Sequence, residues 1–144
     1  MTIRLVPLLS AQRALRNRFD DFRRALDHEN RTAVGIALMD FEQHLRRWTE
    51  AEEAALIPAL ERAHIPGRDV RRELRLQYVQ TRELAHYLLQ QVEEGIHSAR
   101  LIGYVENLER RLRAHEKEMA EVYYPAADLT DAEWEILEKV KPDE

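Results

Sequence analysis

At 144 residues the chain is long enough to bury one core, and a single domain over residues 1–144 is expected. It contains no cysteine, which excludes disulfides, thiolate metal sites and cysteine nucleophiles. The net charge of −5 argues against a nucleic-acid partner, and 34% charged residues with only 4 Gly and 5 Pro point to long helices.

Met1–Ser10 is apolar but too short to span a membrane, and it lacks the layout of a secretory signal. No membrane partner and a cytoplasmic location are therefore expected. With Pro7 the segment reads as an extended arm, and Ser10 as the cap of the helix after it. Leu15, Phe19, Phe22 and Leu26 recur at helical spacing and make one buried stripe. Asp27–Asn30 is the expected turn, with Asn30 capping the next helix. That second helix carries the stripe Val34, Leu38, Phe41, Leu45, Trp48, Glu52 and Ala55, and Pro58 is expected to bend or end its last turns.

Pro66-Gly67 is the clearest breaker in the chain. A third helix is expected from about Arg68 to Glu94, with Leu74, Tyr78, Thr81, Ala85, Leu88 and Val92 on its buried face and Gly95 stopping it. The fourth carries Leu101, Val105, Leu108, Leu112, His115, Met119 and Val122 in alternating steps of four and three, the seam of a bundle helix, and Pro125 ends it. Thr130 and Glu133 have capping-box spacing ahead of a short final helix holding Trp134 and Leu137. Together these elements predict an all-α fold: an antiparallel up-down-up-down four-helix bundle with a short N-terminal arm and a short C-terminal helix. The Arg-rich runs at 68–75 and 109–113 have acidic residues interleaved and read as solvated helix faces.

Chemistry must come from polar residues that fall on the seams. Glu52 sits on the buried stripe of the second helix and His115 on that of the fourth. A carboxylate inside a core is costly unless paired or metal-bound. His44 lies two turns before Glu52 on the same side, and His86 at the edge of the third helix's apolar face. Helix-borne His and Glu are the materials of metal sites inside bundles. A buried, self-neutralising Glu52–His115 pair accounts for the same residues without a metal. His28, His64 and His97 fall in or near turns and are expected to face solvent. Glu83 and His86 have Glu-x-x-His spacing, but the second such motif and further buried acids that a ferritin-like di-iron site needs are not evident.

Two segments echo each other: Trp48 to Pro58, with Glu52 four residues in, and His115 to Pro125, with Met119 four residues in. Spacing of four puts each pair on one helix face. With these two runs the chain resembles the haemerythrin-like, HHE cation-binding family over nearly its whole length. That family's signature, in its second and fourth helices, is His, then Glu four residues on, further acids, two large apolar residues and Pro. The resemblance keeps the Glu position as Glu52 but has Trp48 where the His stands. It keeps the other His as His115 but has Met119 where the Glu stands. It sets His86 at the family's third-helix His and Gln12 at about the first-helix His, with His44 a substitute ligand.

Family members hold two irons through five His and two bridging carboxylates, and bind dioxygen or nitric oxide or act in iron handling. With the set depleted, a complete di-iron centre is not expected. One iron, or another divalent metal, held by Glu52, His115, His86 and His44 is one expectation. Trp48 and Met119 have packing as their simple explanation; the alternative is that they border a haem or another flat ligand. Two functions remain open: a metal- or small-ligand-binding protein in a sensing or stress role, and a metal-free interaction or regulatory module in which Glu52 and His115 are structural. A homodimer is open to either, and the sequence names no protein partner. An enzyme with its own turnover is not the expectation.

Overall fold

The computed structural model describes residues 5–28, 30–96 and 98–142. Among them there is no strand. The elements are α1 (Leu5–Asp27), α2 (Arg31–Ala63), α3 (Val70–Glu93), α4 (Ser98–Glu118), a π-helical turn (Met119–Tyr123), the single turn α5 (Tyr124–Ala126) and α6 (Asp131–Val140).

The first correction lies at the start. Met1–Arg4 and His97 are outside the described residues, but from Leu5 onward the expected arm is helix, with Ser10 inside it. Pro7 is tolerated because first-turn amides have no intrahelical acceptor. Leu8 and Ala11 then extend the buried stripe of Leu15, Phe19, Phe22 and Leu26 towards the N-terminus. Phe19 meets Phe41 of α2 edge-on, with ring centroids 5.5 Å apart. Burying each such side chain contributes about 1.5–3 kcal/mol.

Asn30 caps α2 as expected, its side chain accepting from the Ala33 amide at 3.1 Å. Pro58 neither ends nor interrupts α2, which continues to Ala63. The carbonyl left without an amide partner is that of Ala54, on the exposed side of the helix, where water can satisfy it. The stop comes at His64, whose left-handed backbone (φ 53°) closes a bond to the Leu60 carbonyl, and at Gly67 (φ 74°). Asp69 then caps α3. Gly95 (φ 77°) comes just after the end of α3, as its position predicts.

α2 packs against α1, α3 and α6, while α4 packs against α3 and touches α1. One contiguous apolar cluster runs through these contacts. The expected capping box of Thr130 and Glu133 opens α6. The Glu133 carboxylate is also gripped by both Arg62 nitrogens, at 2.6 and 2.8 Å, which docks α6 on the end of α2. No described helix is long and apolar enough to cross a membrane.

The second departure is at the end of α4. The expected seam runs from Met119 to Val122 in α-helical steps. Instead the Tyr124 amide reaches back to the Met119 carbonyl, five residues away, in a π turn. The wider turn rotates the residues at its C-terminal end: Tyr123 and Tyr124 are buried, and Val122 is only half-buried.

Candidate functional site

The rotation made by the π turn determines the chemistry of the interior. Glu52, on α2, is 1% exposed. Its Oε2 accepts a 2.7 Å hydrogen bond from the Tyr124 hydroxyl. Burial pushes the Glu52 carboxyl up to about 7, and the hydrogen bond opposes that rise only in part. Tyr78 of α3 adjoins the same carboxylate, but its hydroxyl has no hydrogen-bond partner of good geometry. The Trp48 indole N–H is likewise buried without a partner, close to the Tyr124 oxygen. Burial and the neighbouring carboxylate hold both phenols, Tyr78 and Tyr124, well above their ordinary pKa, so they are protonated at every physiological pH.

His115 approaches from α4. Its ring stands edge-on to Tyr78 at 5.4 Å between centroids. Its Nδ1 lies 2.6 Å from Gln77 Oε1, and Gln77 Nε2 donates to Glu118 at 2.9 Å. The acceptor carboxylate orients the Gln77 amide, so the amide oxygen faces the imidazole, and His115 Nδ1 must carry the proton. Nε2 is then the ring's acceptor. Burial lowers the His115 pKa to about 4, so the ring is neutral at pH 7. On the outer side, Arg68 bridges Glu118 and the Tyr123 hydroxyl, and Tyr123 donates to Glu73, binding α3 to the π turn.

Glu52 and His115 line one small cavity of about 40 Å³, together with Gln12 of α1 and Trp48. No hydrogen bond joins Glu52 to His115. Leu15, Leu45 and Leu112 supply apolar wall. Gln12 is 7% exposed, and its carbonyl oxygen meets no donor. Arg16 of α1 and Glu116 of α4 border the cavity on its solvent side and form an ion pair at 3.5 Å. At this size the cavity accommodates between one and three water-sized molecules.

The other candidates lie elsewhere. His86 is exposed on α3. His44 is half-buried, with Nδ1 2.8 Å from the Asp40 carbonyl one turn back, and does not line the cavity. Met119 is fully buried at the start of the π turn and also does not line it. His28 and His64 are exposed, as expected. Among the described residues no group of three or more His, Asp or Glu is arranged to hold a metal ion. The residues present therefore do not fit a haemerythrin-type iron centre: Glu52 and His115 are each tied to a neutral hydrogen-bond partner, and Glu116, which also lines the cavity, is paired with Arg16 at the rim. Nor does a cavity of about 40 Å³ accommodate a haem.

Sequence reasoning does not mark four of these participants as site residues. It reaches Gln12 only as a register position. Tyr78 and Tyr124 read as packing positions, and their only sequence signal is a phenol where a Phe or Leu would pack without needing a partner. Gln77 gives no signal in the sequence at all. No family model, curated protein or solved structure matches this chain.

Proposed function

We propose that the protein is a metal-free relative of the haemerythrin-like bundles, an up-down-up-down four-helix module whose interior binds a small polar ligand. The observation that carries this reading is the shared cavity of Gln12, Trp48, Glu52 and His115. In the family's register these four stand at or beside the metal-ligand positions of the first, second and fourth helices. The short connections between helices that pack on one another support the up-down order. Glu52 with a phenol donor, and His115 with an amide acceptor, form a core that is hydrogen-bonded without a cation to neutralise it. The 40 Å³ of space beside them gives the interior a binding capacity that a purely structural Glu–His pair would lack.

A second reading has one observation in its favour. Ile36 and Met39 of α2 are 66% and 45% exposed and border a shallow groove with Leu89 and Val92 of α3. An interaction module, with its interior purely structural, would use such a surface.

The test is metal analysis of untagged protein together with thermal unfolding in the presence and absence of a chelator. Substoichiometric metal and an unchanged Tm are expected. Stoichiometric iron, manganese or zinc, lost in Glu52→Ala or His115→Ala, would restore the metal-binding reading.

A further inference from the structure

The cavity's polar wall carries three acceptors, beside the Trp48 indole N–H that lies close to the Tyr124 oxygen. Gln12 offers a carbonyl oxygen that is buried and unpartnered. Glu52 offers a carboxylate with one oxygen engaged by Tyr124. His115, its Nδ1 proton committed to Gln77, offers Nε2 as an acceptor. Arg16, the cation at the rim among the described residues, is already paired with Glu116. The walls come from three helices, so a guest bonded to all three acceptors would tie α1, α2 and α4 together.

Water, a metal ion or a compact donor cation can answer a set of acceptors. A metal ion needs several ligands at short, fixed distances, and no such group is present among the described residues. A compact hydrogen-bond donor needs only acceptors at ordinary hydrogen-bond distance, and a positive charge on it offsets the buried carboxylate. The cavity is large enough for an ion the size of one water molecule. The indole of Trp48 lines the same space.

We propose that this cavity is a binding site for an ammonium-sized, hydrogen-bond-donating cation, held by the Gln12 carbonyl, the Glu52 carboxylate and His115 Nε2. The inference rests on the metal-free, small-ligand reading of the interior. Entry is between α1 and α4, where the Arg16–Glu116 pair closes the rim. Selectivity against potassium, an ion of similar size, comes from the directed N–H donors that the three acceptors require.

The experiment uses the full chain carrying Trp134→Phe, which leaves Trp48 as its single tryptophan. Emission of Trp48 is followed while ammonium chloride or potassium chloride is added at matched ionic strength. The expected result is a saturable change with ammonium and none with potassium. Its midpoint should rise by about tenfold or more when Gln12→Met removes an acceptor or Glu52→Gln removes the carboxylate charge. Gln12→Met keeps the side-chain length, so it carries the test if the Glu52 variant fails to fold. Equal responses to the two ions, or an ammonium response unchanged in both variants, overturn the proposal. No response to either ion overturns it too, while leaving the metal-free reading standing. A one-equivalent response to Fe(II) or Zn(II), abolished by Glu52→Gln, overturns both.

Discussion

Tyr124 and Glu52, 72 residues apart in sequence, are joined by a 2.7 Å hydrogen bond in which the phenol donates to Oε2. The bond exists because the π turn between Met119 and Tyr123 rotates Tyr124 into the core. It ties the segment that leaves α4 to the middle of α2. A hydrogen bond to a charged acceptor is stronger than one to a neutral acceptor, so its contribution depends on the protonation of Glu52.

Tyr124→Phe should therefore destabilise the protein more at pH 8, where Glu52 is largely ionised, than at pH 5, where it is largely protonated. About 1–3 kcal/mol is expected at the higher pH and about 1 kcal/mol or less at the lower. Urea unfolding at the two pH values measures the difference. An equal loss at both would mean that the bond does not discriminate between the two forms of the carboxyl.

Glu52 and His115 should pull stability in opposite directions with pH. The Glu52 carboxyl is raised from 4.5 to about 7 in the folded state. The folded protein thus holds a proton that the unfolded chain has released. Stability from this group is fully present below pH 4.5, falls as pH rises towards 7, and is level above that, a span worth about 3 kcal/mol. His115 is lowered from 6.5 to about 4, so its contribution is present above pH 6.5 and is lost as pH falls towards 4. Between these limits the wild-type slopes oppose each other, with Glu52 the stronger because His115 keeps some exposure to solvent. Glu52→Gln should leave a stability that rises with pH from 4.5 to 6.5, and His115→Gln one that falls more steeply than wild type. Denaturant unfolding across pH 4–8 reads both slopes. Parallel curves for the three proteins would contradict the assignment.

His115 should be a single tautomer. With Nδ1 bonded to the Gln77 oxygen, the nitrogen-15 spectrum at pH 7 should show a protonated Nδ1 and a bare Nε2. Gln77→Leu removes the acceptor and should mix the two tautomers, shifting both ring nitrogens towards the average. A spectrum unchanged by that substitution would show that another group orients the ring.

Glu133 joins two devices, the capping box of α6 and the two-pronged grip of Arg62. Arg62 holds its carboxyl down at about 2. This contribution is present above the unfolded value of 4.5 and disappears as pH falls towards 2. Because Arg62 is half-exposed, Glu133→Gln should cost about 1–2 kcal/mol at pH 7 rather than the full electrostatic difference, and little near pH 2. Loss of Trp134 burial on mild denaturation would report α6 detaching first. A variant as stable as wild type at pH 7 would show that solvent screens the pair completely.

Local sequence is enough to set the helices and most of their ends. Periodic apolar residues such as Leu15, Phe19, Phe22 and Leu26, the cap at Asn30, the breaker at Gly67 and the Thr130–Glu133 box all act within a few residues of one another, so local spacing is enough to read them. The same spacing put Glu52 and His115 on inward faces, and the structure has both lining one cavity. What each of them bonds to was decided only in three dimensions. Local pattern could not show that a five-residue π turn would break the four-and-three rhythm after Met119 and send Tyr124, rather than Val122, into the core. Nor could it show that Gln77 would accept the hydrogen bond of His115 Nδ1, or that His86, one helix face away, would stay in water. A helix presents every side chain at a fixed angle, but its rotation about its own axis is set by how neighbouring surfaces pack, and small rotations exchange one buried partner for another.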